Sequence, residues 1–258
     1  MRSRLPRDVF LVLAIVFVAL RLLSVEPWDD SVDAYAYWST RDGSFYGGVT
    51  GDGAGRIGAY LYSPVFAQLL APFVLVPWSV FAAAWTALNL AVLWWLAGRA
   101  ALPLLLLPPV AFEIISGNVH LLFAGAIVVG FRFAGAWVVI VLTKVTPGIG
   151  LLWFLVRREW RALASAIVVT AALVAVSAIL DRGAWTAWLD LLGRQAGAPL
   201  QTTGWYLPVP LIPRLVAAAT FVGWAAWTDR RWALPIAVTL ALPIVWLNSL
   251  SILVACLP

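Results

Sequence analysis

The chain has one cysteine, one histidine and one methionine among its 258 residues, and only 11% of its residues are charged. The lone Cys256 excludes an internal disulfide and any cysteine-based metal site. A soluble domain of this length carries about a quarter charged residues, so an ordinary water-soluble domain is excluded as well. No P-loop, H-E-x-x-H, G-x-S-x-G or paired-cysteine motif occurs, which removes the usual triphosphate cradle, zinc site and serine-hydrolase elbow. The net charge of +5 does not indicate nucleic acid, because the arginines stand at the ends of apolar runs instead of forming a stripe. No internal repeat, heptad pattern or low-complexity tail is present.

What remains is apolar. Hydrophobic residues make up 63% of the chain, the mean hydropathy is +0.95, and there are 16 tryptophans. This is the composition of an all-α polytopic membrane protein, with tryptophan concentrated where helices leave the hydrocarbon. Arginine almost wholly replaces lysine, a bias typical of GC-rich bacterial genomes. Arg2, Arg4 and Arg7 precede the apolar run 9–25, no small-x-small cleavage site follows, and further spans do. That predicts a retained signal anchor over roughly 8–25 with its N-terminus cytoplasmic.

Residues 26–60 hold Glu26, Asp29, Asp30, Asp33, Asp42 and Asp52, half of all the acidic residues, and are expected to form a first outer loop. Within it the aromatic and polar alternation from Ala34 to Tyr46 predicts an interfacial helix. A second interfacial helix is expected over 61–71 and a span over 74–98, ending at Arg99. The runs 101–116, 121–131, 134–143 and 149–156 fall short of the roughly 20 residues needed to cross a hydrocarbon core about 30 Å thick. With Arg99, Arg132 and Arg157 all inside, they pair as two short re-entrant hairpins, tipped by Gly117-Asn118-Val119-His120 and by Lys144-Val145-Thr146-Pro147-Gly148. A span over 162–180, a second outer loop over 181–206, a return over 207–228 and a last span over 232–250 complete one membrane domain, 1–258, of about nine membrane segments.

Ionisable groups at membrane depth are costly, so they are functional candidates by default. The only lysine, Lys144, centres one hairpin beside Thr143 and Thr146. The only histidine, His120, tips the other beside Asn118, with Glu113 earlier on the same arm reading as a structural partner. Three aspartates within five residues (Asp29, Asp30, Asp33) precede Tyr35, Tyr37 and Trp38, and can serve as a base, a cation site or a helix cap. In the topology above, both tips and this cluster converge on the outer leaflet. A carboxylate base, a buried cation and a histidine facing a lipid-accessible cavity suit transfer of a sugar from a lipid phosphate to an acceptor hydroxyl. The donor is already activated, so no cofactor and no metal are called for. Broken helices also occur in transporters, so a flippase for a lipid-linked intermediate is the competing class.

Four segments, in order, resemble glycosyltransferase family 87, the polyprenyl-phosphate-mannose-dependent mannosyltransferases with the GT-C fold. They are Asp33-Ala34-Tyr35-Ala36-Tyr37-Trp38, the stretch from Tyr62 to Phe73, Gly117-Asn118-Val119-His120-Leu121-Leu122 and Lys144-Val145-Thr146-Pro147-Gly148. The resemblance implies a GT-C-like architecture and an inverting transferase that moves a sugar, with mannose the expectation, to a glycolipid or glycan on the outer side of a bacterial cytoplasmic membrane. It also implies Asp33 as catalytic base with Asp30 as its rival. Lys144, His120 and Arg214 are expected at the donor phosphate, and Asn118, Tyr62, Tyr35 and Thr146 at the substrates. The family has Gly-Gln where this chain has Gly117-Asn118, and Lys-Pro where it has Lys144-Val145. Its members generally carry more helices, so a partner membrane protein or a shortened, non-catalytic subunit is a further expectation.

Overall fold

Helices follow the apolar runs, but they stop wherever proline or a left-handed glycine forces them to. The structure, a computed structural model, describes residues 5–24, 31–43, 45–46, 58–195 and 205–258. Among these the protein is all-helical, with one isolated bridge between Tyr206 and Trp246. Helix α1 is Leu5–Leu22, as long as a span but carrying Arg7, Asp8 and Arg21. Helix α2, Val32–Trp38, and a 3-10 turn over Ser39–Asp42 occupy the expected interfacial stretch. Helix α3, Pro64–Leu70, lies within the expected 61–71.

Helix α4, Trp78–Ala97, does not end the span at Arg99. It continues through a 3-10 turn at Gly98–Ala100 into α5, Ala101–Leu105. This 28-residue stretch is long and apolar enough to cross a membrane, as is the 21-residue α10, Trp160–Leu180. A third is counted if the bent pair α6, Pro108–Ser116, and α7, His120–Gly130, is one broken span. The expected arm 101–116 is therefore split. Leu107 precedes Pro108, takes an extended conformation (ψ 134°), and a new helix starts at the proline.

Between α6 and α7 the chain bends by 105°. Gly117 adopts φ +70°, and a Cβ there would lie 2.7 Å from the Cβ of Ala34 on α2. Glycine is required twice over, by backbone conformation and by the approach of α2. Trp85 Nε1 donates to Gly117 O at 2.7 Å, and Arg21 Nη2 and Ser31 Oγ donate to Ile115 O at 2.9 and 3.2 Å. The break is thus tied to α1, α2 and α4.

Helix α8, Val138–Thr143, follows a 3-10 turn at Ala134–Trp137 and stops at Lys144, which is extended (φ −136°, ψ 113°). A 3-10 turn over Thr146–Leu151 and α9, Leu152–Val156, continue the chain. Without a strong hydrophobic drive between helices in lipid, close packing needs small residues. Gly130 and Gly150 supply them, since a Cβ on either would collide with the fully buried Trp137 ring.

Residues 181–206, expected as an outer loop, contain the helix α11, Arg182–Gln195. Helix α12 is Leu211–Trp227. The expected last span over 232–250 is broken. A 3-10 turn at Arg231–Ala233 leads into α13, Leu234–Leu240, and a second 3-10 stretch runs over Leu247–Cys256. Pro243 lies in the gap, where it can donate no N–H and cannot continue the helix.

Gly117→Ala is expected to lower the melting temperature in detergent and to disable the site. The left-handed strain costs about 1–2 kcal/mol, and displacing Ala34 adds about 1–3 kcal/mol. Melting curves of the variant against the parent check this.

Candidate active site

The α6–α7 break does more than bend the chain. Its Asn118 accepts the backbone N–H of Val119 at 2.8 Å through Oδ1, which turns the amide NH₂ towards Asp33 and hydrogen-bonds that carboxylate. Asp33 lies on the first turn of α2, so the Gly117–Ala34 contact that docks the helix also sets the position of the carboxylate. Tyr37, one helical turn on, shares the same face and meets Tyr62, hydroxyl to hydroxyl, at 3.2 Å.

Below Asp33, Glu113, His120 and Lys144 form a connected line. The Glu113 side chain is fully buried, accepts three N–H groups and lies against the His120 ring nitrogen Nδ1. His120 N at 2.6 Å and Leu121 N at 3.3 Å reach Oε1, and His120 Nδ1 at 2.9 Å and Asn248 Nδ2 at 3.1 Å reach Oε2. The two backbone donors are first-turn amides of α7 that no helical carbonyl can satisfy, so Glu113 caps the helix across the break. On the other side of the ring, His120 Nε2 lies 2.9 Å from Lys144 Nζ and 3.4 Å from Ser249 Oγ.

Lys144 is placed by the end of α8. Ser63 Oγ donates to Leu142 O, fixing α3 against the same turn. The Lys144 ammonium lies 5.9 Å from the rings of both Tyr62 and Phe123 and interacts electrostatically with Asp33. Thr146 Oγ1 is buried and has no hydrogen-bond partner among the described residues. Asp33 and Lys144 both keep some accessible surface, whereas His120 and Glu113 have none. Burial raises the Asp33 carboxyl above the ordinary aspartate range, and the neighbouring Glu113 charge pushes the same way. Lys144, Asn118 and His120 oppose that shift. The assembly brings a carboxylate and a cation within electrostatic reach of each other, next to the fully buried Glu113 and His120.

The model of Glycosyltransferase family 87 matches residues 60–255. The chain belongs to glycosyltransferase family 87. It is accordingly a membrane glycosyltransferase, with a sugar donor and an acceptor as substrates. No curated protein and no solved structure matches the chain. The family match takes in Glu113, Asn118, His120, Lys144 and Asn248 but begins after Asp33, whose place beside them rests on how α2 packs.

For this family 87 enzyme, the residues singled out in the sequence divide cleanly. Asp33, Asn118, His120 and Lys144 come together, with Tyr62 at the edge, and Thr146 stands two residues after Lys144 in the following 3-10 turn. Asp30 lies outside the described residues. Tyr35 projects from another face of α2 and packs on Trp38 and Trp78, with ring centroids 6.1 and 5.8 Å away.

Arg214 is buried and satisfies the broken end of α13. It donates to Val209 O (2.8 Å), Leu240 O (2.8 Å), Leu242 O (2.6 Å) and Pro243 O (2.8 Å). Among the described residues its hydrogen bonds go to these backbone carbonyls and not to Asp33, His120 or Lys144. Tyr37, Asn248 and Ser249 enter the site without having been singled out. The i, i+4 spacing from Asp33 pointed to Tyr37, while nothing local pointed to Asn248.

A separate cavity of about 420 Å³, lined by Arg132, Arg161 and Ser165, opens beyond the far end of α7 and does not touch this cluster. Among the described residues no group of three or more His, Cys, Asp and Glu side chains converges as a metal site would.

Arg214→Gln is expected to destabilise the protein by ~3 kcal/mol or more, since it leaves buried carbonyls without donors. Lys144→Gln should leave the melting temperature close to the parent's. Thermal unfolding in detergent separates the two.

Proposed function

We propose that this family 87 enzyme is an inverting transferase. It moves a sugar, with mannose the expected one, from polyprenyl phosphate to a glycolipid or glycan hydroxyl on the outer side of a bacterial cytoplasmic membrane. The observation that carries the reading is that Asp33 and Lys144, the two charged groups of the cluster with accessible surface, interact electrostatically. In this reading α2 and α3 lie in the outer interface. The interrupted pairs α6–α7 and α8–α9 enter the membrane without crossing it, giving about nine membrane segments in all.

The step needs a base, an open anomeric carbon and a place for the departing charge. Asp33 takes the proton from the acceptor hydroxyl, whose oxygen attacks the anomeric carbon from the face opposite the phosphate. The new C–O bond forms as the old one breaks, and the electron pair leaves with the polyprenyl phosphate. Lys144 offsets that growing negative charge in a site shielded from water, where its effect is largest. Asn118 orients the Asp33 carboxylate, and Thr146 offers an unused hydroxyl to a substrate oxygen. The lipid phosphate is the activating group, so the step as written draws on no cofactor.

Asp33→Asn should reduce transfer from polyprenyl-phosphomannose by about 10²–10⁴-fold, the usual contribution of a general base, without lowering the amount of protein in the membrane. Full activity in that variant would sink the assignment. A pH profile gives an independent check. Because the base works ionised and its carboxyl is held above the ordinary range near 4, kcat/KM should fall on acidification with a midpoint above ~4. Lys144→Met removes a cation that favours the carboxylate, so this limb should move to still higher pH while the rate drops.

A further inference from the structure

The reaction above uses Lys144 but leaves Glu113 and His120 as a sealed pair with no stated task. Their hydrogen bonds define one. Three of the four contacts to the Glu113 carboxylate come from groups that can only donate there, the amides of His120 and Leu121 and the Asn248 NH₂. An ionised carboxylate suits that set, because it accepts and does not donate. On the far side of the imidazole, an ammonium 2.9 Å from Nε2 can only donate as well. A neutral imidazole carries one N–H. With Nε2 accepting from Lys144, the proton sits on Nδ1 and points at Glu113 Oε2, 2.9 Å away.

We propose that Glu113 is a positioning residue: it holds His120 as the Nδ1–H tautomer, so that Nε2 is the acceptor that aims the Lys144 ammonium at the donor phosphate. His120 is then an acceptor that steers the cation and not itself a phosphate ligand, a different task from the one expected from the sequence. The same number of protons can be arranged the other way, with a Glu113 O–H donating to Nδ1 and a His120 Nε2–H facing a neutral Lys144 amine. That arrangement trades a carboxylate supported by three other N–H donors for an uncharged one, and it removes the positive charge that interacts with Asp33.

The chain has a single histidine, so one imidazole reports without ambiguity. Nitrogen-15 spectra of histidine-labelled protein in lipid nanodiscs at neutral pH should show Nδ1 protonated and Nε2 bare and hydrogen-bonded. An Nε2–H tautomer in the parent protein overturns the proposal. Glu113→Gln separates positioning from helix capping. Its Oε1 can still accept the amides of His120 and Leu121, but its NH₂ now faces Nδ1 and forces the proton to Nε2, which turns a donor towards Lys144.

The variant should therefore show the opposite tautomer. Its KM for polyprenyl-phosphomannose should rise about tenfold with kcat changed less, the pattern of a lost donor-binding contact. Persistence of the Nδ1–H tautomer, or an unchanged KM alongside the switched tautomer, overturns it. The kinetic arm rests on the transferase reading of the preceding section, whereas the spectra need no donor. The two ideas can therefore fail separately, and the parent spectrum decides even if the variant does not fold.

Discussion

Interrupting a helix inside an apolar protein leaves backbone amides and carbonyls that no water can reach, and each must find a side chain. Much of this structure follows from that constraint. Ile115 O is taken by Arg21 and Ser31, Gly117 O by Trp85, Leu142 O by Ser63, and the first amides of α7 by Glu113. The broken end of α13 takes the fork of Arg214. Scarce polar residues of this chain therefore cluster at its helix breaks, and His120 and Lys144 stand there with them. Asn118 and Glu113 each satisfy backbone and aim a neighbouring side chain in the same geometry.

The charges of the cluster make sense on the same basis. Asp33 and Glu113 are two carboxylates against one lysine, an arrangement that by itself would repel an anionic donor. Glu113 is set apart by its burial and by three N–H donors and the His120 ring, which take up its charge locally. What the accessible part of the cluster presents is then an aspartate and an ammonium. Half-buried groups facing accessible space, backed by groups with no exposure at all, give an orientation to a site whose residues otherwise all lie among apolar side chains.

Much of this could be read in the sequence, and the exceptions have physical causes. Rarity was informative: a single lysine and a single histidine at apolar depth were worth placing before anything else, and they meet at 2.9 Å. Glycine and proline marked the turns at Gly117 and Pro147, whereas the break at Pro108 fell inside a run that had read as continuous. One boundary was overturned, and two side chains stand elsewhere than expected. Arg99 looked like the end of a helix, but an arginine can extend from within a long one, and the chain runs on to Leu105. Tyr35 was preferred to Tyr37, although a carboxylate at position 33 shares its face with position 37. Arg214 looked like an anion site because its fork suits phosphate, and backbone carbonyls use the same fork. Asn248 carried no signal of its own, because its role comes from a contact across 135 residues.

That last contact bears on when the enzyme comes into being. Asp33 lies on α2, Glu113 and His120 on α6 and α7, Lys144 just after α8, and Asn248 in the 3-10 stretch Leu247–Cys256. Contacts between segments so far apart form late, after the loops joining them have closed. A nascent chain that has inserted only its first helices already holds Asp33 and Gly117, yet the carboxylate behind the histidine still lacks one of its donors. The cluster is complete only once elements from α2 to the 3-10 stretch Leu247–Cys256 have packed together, so no single hairpin can assemble it alone.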